Sequence, residues 1–373
     1  MDTISDARRL NVYNRRDFAA LPALQQLRIL IAAGHLAPST HNTQPWRFFL
    51  RPDTMTIDVF LHRPGVLPAS DVRGRQAMVS IGCAIEHIRT AAAHYGFIAA
   101  IDIAPLLPAQ VRPSANAARV PPLHVATIQL QHGDAKCEEK VFRAIFTRKV
   151  VRAEFDPAKP LPTDLVARAK AAIADTPIAL HCVTDPVRRL AMAEFQGQAD
   201  GYVINSPKFS RELGAWLLPN DTISRVGMPG NNFGLSDAQA LRMHKGLLGD
   251  GHLEPEDGLR FAMAGKLGIE KSPLIAVLTG AADDPQAWIY AGIALERLLL
   301  LFTGDGVATA IHAGIVEVAL INRIFAATLG TTRKMLALFR AGYPKRAEDG
   351  LRPFAPRLPL NEIILTSDPE ETV

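Results

Sequence analysis

The 373-residue sequence predicts an α/β chain built from two related halves. Helix-patterned and β-prone stretches alternate along it. One helix–glycine–strand pattern starts at Gly82 and again at Gly292. The composition, 48% hydrophobic and 21% charged, is that of an ordinary globular protein, and the length suffices for one large domain or two.

Taken in order, residues 23–35 read as a helix and Arg47-Phe48-Phe49-Leu50 as a strand. Between them lies Ala37-Pro38-Ser39-Thr40-His41-Asn42-Thr43-Gln44-Pro45-Trp46. Proline fixes φ and disfavours helix at the residue before it, so this is a shaped loop with few conformers. Its hydroxyls and carboxamides suit a planar, hydrogen-bonding heterocycle; a capped helix end followed by Pro-rich turns reads alike on composition. Asp71 is placed to cap a helix beginning near Gly74, with a catalytic carboxylate as the alternative. The first repeat copy, Gly82-Cys83-Ala84-Ile85-Glu86, runs to Gly96 and a β-prone stretch, Phe97 to Ile103. The second, Gly292-Ile293-Ala294-Leu295-Glu296, runs to Gly306 and Val307 to Ile311. In each, the closing glycine suits a helix C-terminal cap. Residues 105–122 are a Pro/Ala-rich connection, and His124 to Leu130 is a strand. A boundary near residue 135 gives halves 1–135 and 136–373.

A fainter echo links Arg16-Asp17-Phe18 and Leu21-Pro22 to Arg152-Ala153-Glu154-Phe155 and Leu161-Pro162. The carboxamide-rich loop has no second copy; Ala174 to Cys182 stands in its place. Residues 218–272 are rich in Gly, Pro, Asn and Asp, notably Gly227-Met228-Pro229-Gly230-Asn231-Asn232-Phe233-Gly234. This irregular length reads as a lid or binding excursion, or as a plain surface insertion.

The net charge of +4 is spread along the chain. A nucleic-acid binder concentrates its basic residues, so that class is not expected. No stretch reads as the roughly 18 apolar residues of a membrane span; Leu298 to Phe302 reads as part of a buried helix. The start, Met1 to Asp6, lacks the apolar run of a leader. Cys83, Cys137 and Cys182 are far apart and form no Cys-x-x-Cys, which suits free thiols in a reducing compartment. A cytoplasmic protein is expected. Gly265 to Ser272 imitates a P-loop but carries Glu270 at a required glycine. No Gly-x-Gly-x-x-Gly follows a strand, and the histidines show no zinc spacing, so no metal is expected. His35 and His41 read as a helix end and a loop residue. The cations Arg148, Lys149 and Arg152 suit one small phosphorylated ligand, or a solvated helix end.

The string Ala-Pro-Ser, then Asn42, then Gln-Pro-Trp-Arg-Phe resembles the signature of the FMN-dependent nitroreductase superfamily. The His-Asn-Thr-Gln-Pro-Trp form and the chain length resemble its Acg-type branch, whose chains carry two nitroreductase-like halves. The resemblance implies a nitroreductase-like fold, internally duplicated as a pseudo-dimer, with mixed sheets flanked by helices. It implies that FMN is held by Pro38, Ser39, Thr40, Asn42 and Gln44, with Gln44 and Trp46 shaping the loop from behind. Arg148 to Phe155 matches the family's Arg-x-Ser/Thr-x-Arg-x-x-Phe pattern. That carries the FMN phosphate over to Arg148 and the N1/O2 edge of the ring to Arg152; the pattern's hydroxyl is Val150 here. Arg357, before Leu358-Pro359-Leu360, matches an arginine that completes the phosphate site, while a basic residue found two places earlier in some members is Ala355.

The loop stands only in the first half, and the arginines only in the second, so one complete FMN site is implied. The implied activity passes hydride from NAD(P)H through FMN to a nitroaromatic, quinone or related small-molecule acceptor, with no residue required as an acid–base catalyst. The alternatives are an FMN-sequestering protein with 218–272 as its lid, or an oxygen-dependent flavoenzyme acting on a metabolite. The chain is expected to be a monomeric pseudo-dimer or a further homo-oligomer.

Overall fold

The computed structural model describes residues 13–249, 251 and 253–369; the leader reading at Met1 to Asp6 lies outside the described residues. In chain order the first elements are α1 (Arg15–Ala19), α2 (Ala23–Gly34), β1 (Trp46–Arg51), β2 (Thr56–Leu61), α3 (Arg75–His94), β3 (Phe97–Ile103), β4 (Leu123–His132) and α4 (Glu139–Thr147). There follow α5 (Leu165–Ala172), β5 (Ile178–Val183), α6 (Pro186–Ile204), α7 (Pro207–Trp216), β6 (Leu217–Leu218), β7 (Met228–Pro229), α8 (Asp237–Leu248) and α9 (Pro255–Glu270). The remainder is β8 (Leu274–Gly280), α10 (Pro285–Gly304), β9 (Ala308–Ile311), α11 (Gly314–Glu317), α12 (Ala319–Thr328), β10 (Lys334–Gly342) and α13 (Leu360–Ile363).

The duplication is visible in the sheets. One runs β1–β2–β4–β3 and the other β5–β8–β10–β9. Each therefore has the order first, second, fourth, third within its own half, and both are antiparallel. The parallel element is small: the β6–β7 pair and the single bridges Phe48↔Ile364 and Val150↔Thr309. The echoed helices α3 and α10 join the second and third strands of their halves. Both turn into the next strand through a left-handed glycine, Gly96 (φ 86°) and Gly306 (φ 73°), a conformation that costs a side chain dearly.

The chain forms two compact units, and neither is contiguous in sequence. One holds Met1–Arg148, Asp284–Gly304 and Arg357–Val373; the other holds Lys149–Asp283 and Asp305–Pro356. The expected single cut near residue 135 does not separate them. α4 and Arg148 stay with the first unit, α10 is inserted into it, and residues 357–373 return to it. The physical reason is the seam between α3 and α10. A Cβ on Gly82 would lie 2.2 Å from the Ile289 carbonyl oxygen, and one on Gly292 would lie 2.1 Å from that of Val79. The two repeat copies thus touch backbone to backbone at the glycine that opens each of them. Around that crossing α10 buries Trp288, Leu295, Leu298, Leu299 and Leu300. At 20 residues α10 is long and apolar enough to cross a membrane by length and composition, which corrects the expectation that no stretch qualifies. Its most apolar window is 78% buried inside the protein.

In the second unit the sheet is packed by α6, α9, α11 and α12 around Met192, Ile269, Val277, Phe325 and Leu338. A short 3-10 turn joins β1 to β2, whereas the equivalent link from β5 to β8 contains α6 to α9. Residues 218–272 are therefore less irregular than their composition suggests. α8 opens with a reciprocal cap between Ser236 and Gln239 and presents Ala240, Met243 and Leu247 at helical spacing to a small core of its own. The P-loop-like string closes α9 and is helical as far as Glu270.

Gly82→Ala or Gly292→Ala should lower the unfolding free energy in urea by about 1–3 kcal/mol, as overpacking does. Gly201→Ala, on α6 with open space around it, should cost nothing.

Candidate functional site

The predicted loop begins where α2 ends. The last carbonyls of a helix have no partner within it and attract donors and positive charge. Arg357 supplies both. Its Nε donates to the His35 carbonyl (2.7 Å), and its Nη2 to those of Leu36 (3.0 Å) and Ala37 (2.9 Å). Its Nη1 donates to Asn42 Oδ1 (2.9 Å), which fixes that carboxamide's orientation, because a guanidinium only donates. The next residue continues the strap: Leu358 N donates to Gln44 Oε1 (2.9 Å). Within the loop, Ser39 Oγ accepts from Gln44 N (3.0 Å), and the Ser39 carbonyl accepts from Asn42 N (3.0 Å).

Three non-glycine residues here take left-handed backbone: His41 (φ 50°), Asn42 (φ 56°) and Gln44 (φ 51°). Asn tolerates this region; for His and Gln it costs of order 1–3 kcal/mol and persists only where the surroundings enforce it. Pro38, Ser39 and Thr40 are half-buried, while Asn42 and Gln44 are buried.

Arg148, at the end of α4, reaches the same helix end. Its Nη2 donates to the Leu36 carbonyl (3.3 Å), the oxygen that also accepts from Arg357. Its Nε forms an ion pair with Glu296 Oε1 of α10 (2.9 Å) without pointing squarely at it. Arg148 is 5% exposed, and its Nη1 has no acceptor among the described residues. Glu296 Oε1 also faces His87 Nε2 (2.7 Å), and His87 Nδ1 faces the Ala33 carbonyl (2.9 Å). Burial raises the Glu296 carboxyl, but Arg148 and His87 outweigh it and hold it below the usual range, hence ionised. The other repeat copy mirrors this. Glu86 pairs with Arg297 (3.2 Å) and with Arg89.

Arg152 belongs to the second unit. It is exposed, with its guanidinium 4.5 Å over the Phe233 ring, at the tip of the Gly-rich excursion. That tip is tied down further by Asn232 Nδ2 donating to the Pro353 carbonyl (3.0 Å). Arg352 Nη1 donates to the Arg152 carbonyl (3.3 Å), and Lys149 Nζ to that of Arg352 (2.9 Å). Beneath them Arg340, 3% exposed, donates to the Ala153 carbonyl (2.8 Å) and stacks on Phe155. Burial and Arg152 lower its pKa to about 9.

No family model matches the chain. It is 26% identical over 338 residues to "Putative NAD(P)H nitroreductase acg" of Mycobacterium tuberculosis, covering 88% of this chain and 91% of that one. Over most of its length the chain is thus similar to an Acg-type NAD(P)H nitroreductase. A second putatively named NAD(P)H nitroreductase of the same organism is 26% identical over 345 residues, covering 92% of each chain. Among solved structures, the FMN-dependent nitroreductase NfnB of Mycobacterium smegmatis, in complex with NADPH, aligns with 62% of this chain and 99% of its own. The identity there is 18% and the TM-score 0.40.

The structure brings Ser39, Asn42, Gln44, Arg148 and Arg357 together around the end of α2. Three residues of this neighbourhood were not singled out as site residues. Glu296 and His87 meet across helices, which no local pattern reveals; a glutamate within the most apolar helix was the available hint. His35 is more than a helix end. Trp46 Nε1 can only donate, and it faces His35 Nδ1 (3.0 Å), so Nε2 carries the proton and donates to the Leu358 carbonyl (2.8 Å). Burial, with Arg357 nearby, lowers the His35 pKa to about 3.

That shift has a pH consequence. The unfolded chain takes up a proton at His35 below about 6.5 and the folded chain does not, so stability is lost as pH falls through 6.5 towards about 3. Urea unfolding at pH 7 and pH 5 should show about 2 kcal/mol of this loss from His35, at 1.36 kcal/mol per unit. His35→Gln should show a correspondingly shallower pH dependence than the parent.

Proposed function

We propose that this chain is an FMN-binding oxidoreductase that takes reducing equivalents from NAD(P)H and passes them to a small-molecule acceptor. The observation that carries the reading is the unpartnered, buried Nη1 of Arg148 beside a strained loop of hydroxyls and carboxamides. A buried guanidinium nitrogen without an acceptor suits a phosphate oxygen. Backbone strain of this kind concentrates at ligand sites. These residues fit FMN, and the relatives named as NAD(P)H nitroreductases support NAD(P)H as the reductant.

Arg148 would hold the phosphate. Ser39, Thr40 and Asn42 would hold the ring and ribityl chain, on a backbone set by Pro38 and Gln44. Arg152 would place positive charge at the N1/O2 edge, where reduction builds negative charge. FMN, when bound, supplies the two-electron chemistry itself. Nitroaromatics and quinones are the acceptor classes proposed. The three unpaired thiols suit the proposed cytoplasmic setting.

One observation favours a second reading, FMN sequestration. The excursion tip already lies on Arg152 through Phe233. An anaerobic titration of the FMN-loaded chain with NADPH and NADH separates the two. Bleaching of the flavin band, reversed by a quinone or nitroaromatic, is expected for the oxidoreductase. Bleaching by dithionite alone would favour sequestration, and a chain that binds no flavin would overturn both. Arg148→Ala should weaken FMN binding by about 1.5–3 kcal/mol, read as the dissociation constant from flavin fluorescence.

A further inference from the structure

We infer that Arg357 is a positioning residue that clamps the strained loop into its ligand-binding shape. The inference rests on the flavin reading above for the ligand, but its geometry stands apart from it. Arg357 donates to the carbonyls of His35, Leu36 and Ala37, and to Asn42 Oδ1. These acceptors belong to the end of α2 and to the loop itself. The planar fork spans them in a way that an ammonium cannot.

The neighbouring contacts reinforce the clamp. Leu358 binds Gln44 Oε1 through its N–H and His35 Nε2 through its carbonyl. Two of the three left-handed residues, Asn42 and Gln44, therefore have their side chains tied to two consecutive residues of one strap. Without that tie, the left-handed backbone has an easy route back to the β or right-handed region.

Arg148 makes the contrast. It shares the Leu36 carbonyl with Arg357, but its Nη1 has no acceptor among the described residues. The two arginines that the family pattern assigns to one phosphate thus differ in what their nitrogens do. Arg357 donates to carbonyls and a carboxamide of the loop and its helix, whereas Arg148 has a buried Nη1 with no acceptor among the described residues. The strap is anchored beyond the site as well. Leu365 N donates to the Phe48 carbonyl (2.8 Å) on β1, and Arg51 pairs with Asp368. The strap is therefore fastened to the loop by Arg357 and Leu358 and to β1 by the residues that follow.

The test compares FMN with riboflavin, which lacks the phosphate, on the full-length chain and its Arg357→Ala, Arg357→Lys and Arg148→Ala variants. A clamp acts on the loop that holds the shared ring and ribityl groups. Arg357→Ala should therefore weaken riboflavin as well as FMN, each by about 10- to 100-fold. Arg148→Ala should instead reduce the preference for FMN over riboflavin by about tenfold or more. Riboflavin affinity left unchanged by Arg357→Ala would confine Arg357 to the phosphate and overturn the clamp. Full recovery in Arg357→Lys would reduce its role to charge alone and overturn it equally.

Amide hydrogen exchange on the same variants, without flavin, provides the arm that a general loss of stability would not reproduce. Protection should fall at residues 39–46 and in the last turn of α2 while β4 and α3 keep theirs. Unchanged protection in the loop would overturn the clamp. If the parent chain bound neither flavin, the flavin reading would fail while this arm still decided the role of Arg357.

Discussion

The close crossing of α3 and α10 at Gly82 and Gly292 is the constraint on which the first unit depends. Only a residue without a side chain lets two helices share backbone contact at this point, and both repeat copies supply one. That crossing sets the register of the contacts one turn further on. One helical turn on, each copy's glutamate meets the residue that follows the glutamate of the other, Glu86 with Arg297 and Glu296 with His87. The duplication is therefore written in buried charge as well as in strand order.

The likeness of the two copies ends beside the strained loop. Glu86 is satisfied by Arg89 and Arg297, a closed structural cluster. Glu296 instead shares its oxygen between His87 and Arg148, and so links the helix seam to the end of α2. A buried ion pair gains little stability for its desolvation cost, and its attested use is to specify one arrangement. Here the arrangement specified is the position of a guanidinium beside the strained loop. In the second half the corresponding hairpin connection was instead expanded into four helices.

Much of the scaffold was legible from local pattern. The helix read at 23–35 is α2, the strand read at 97–103 is β3, and Asp71 accepts from Gln76 N (3.0 Å) and Ala77 N (2.9 Å) as the cap it was taken to be. Both closing glycines take the left-handed conformation expected of them. These features depend on neighbours in sequence. The helices within 218–272 were missed because Gly, Pro and Asn density outweighs a short apolar period, although the Ser236–Gln239 cap was there to read. The unit boundary was missed because α10 belongs with the first unit for tertiary reasons alone. The loop was recognisable as a shaped segment. Its fastening was not, since the partners of Arg357 are mainly backbone carbonyls, which every residue carries alike.

The separation between clamp and loop has a consequence for biogenesis. Asn42 and Arg357 are 315 residues apart. At roughly 5–20 residues per second, a ribosome that has released the loop takes on the order of 15–60 s to deliver the arginine that sets it. Helix α2 and its neighbouring strands can form during that interval, but their open carbonyls must wait on water. The final shape of the loop is thereby deferred until nearly all of both units has been synthesised. A chain that stalls or is cleaved before residue 357 would present a folded-looking first half whose loop lacks its fastening, so that a set loop doubles as a report that translation ran through.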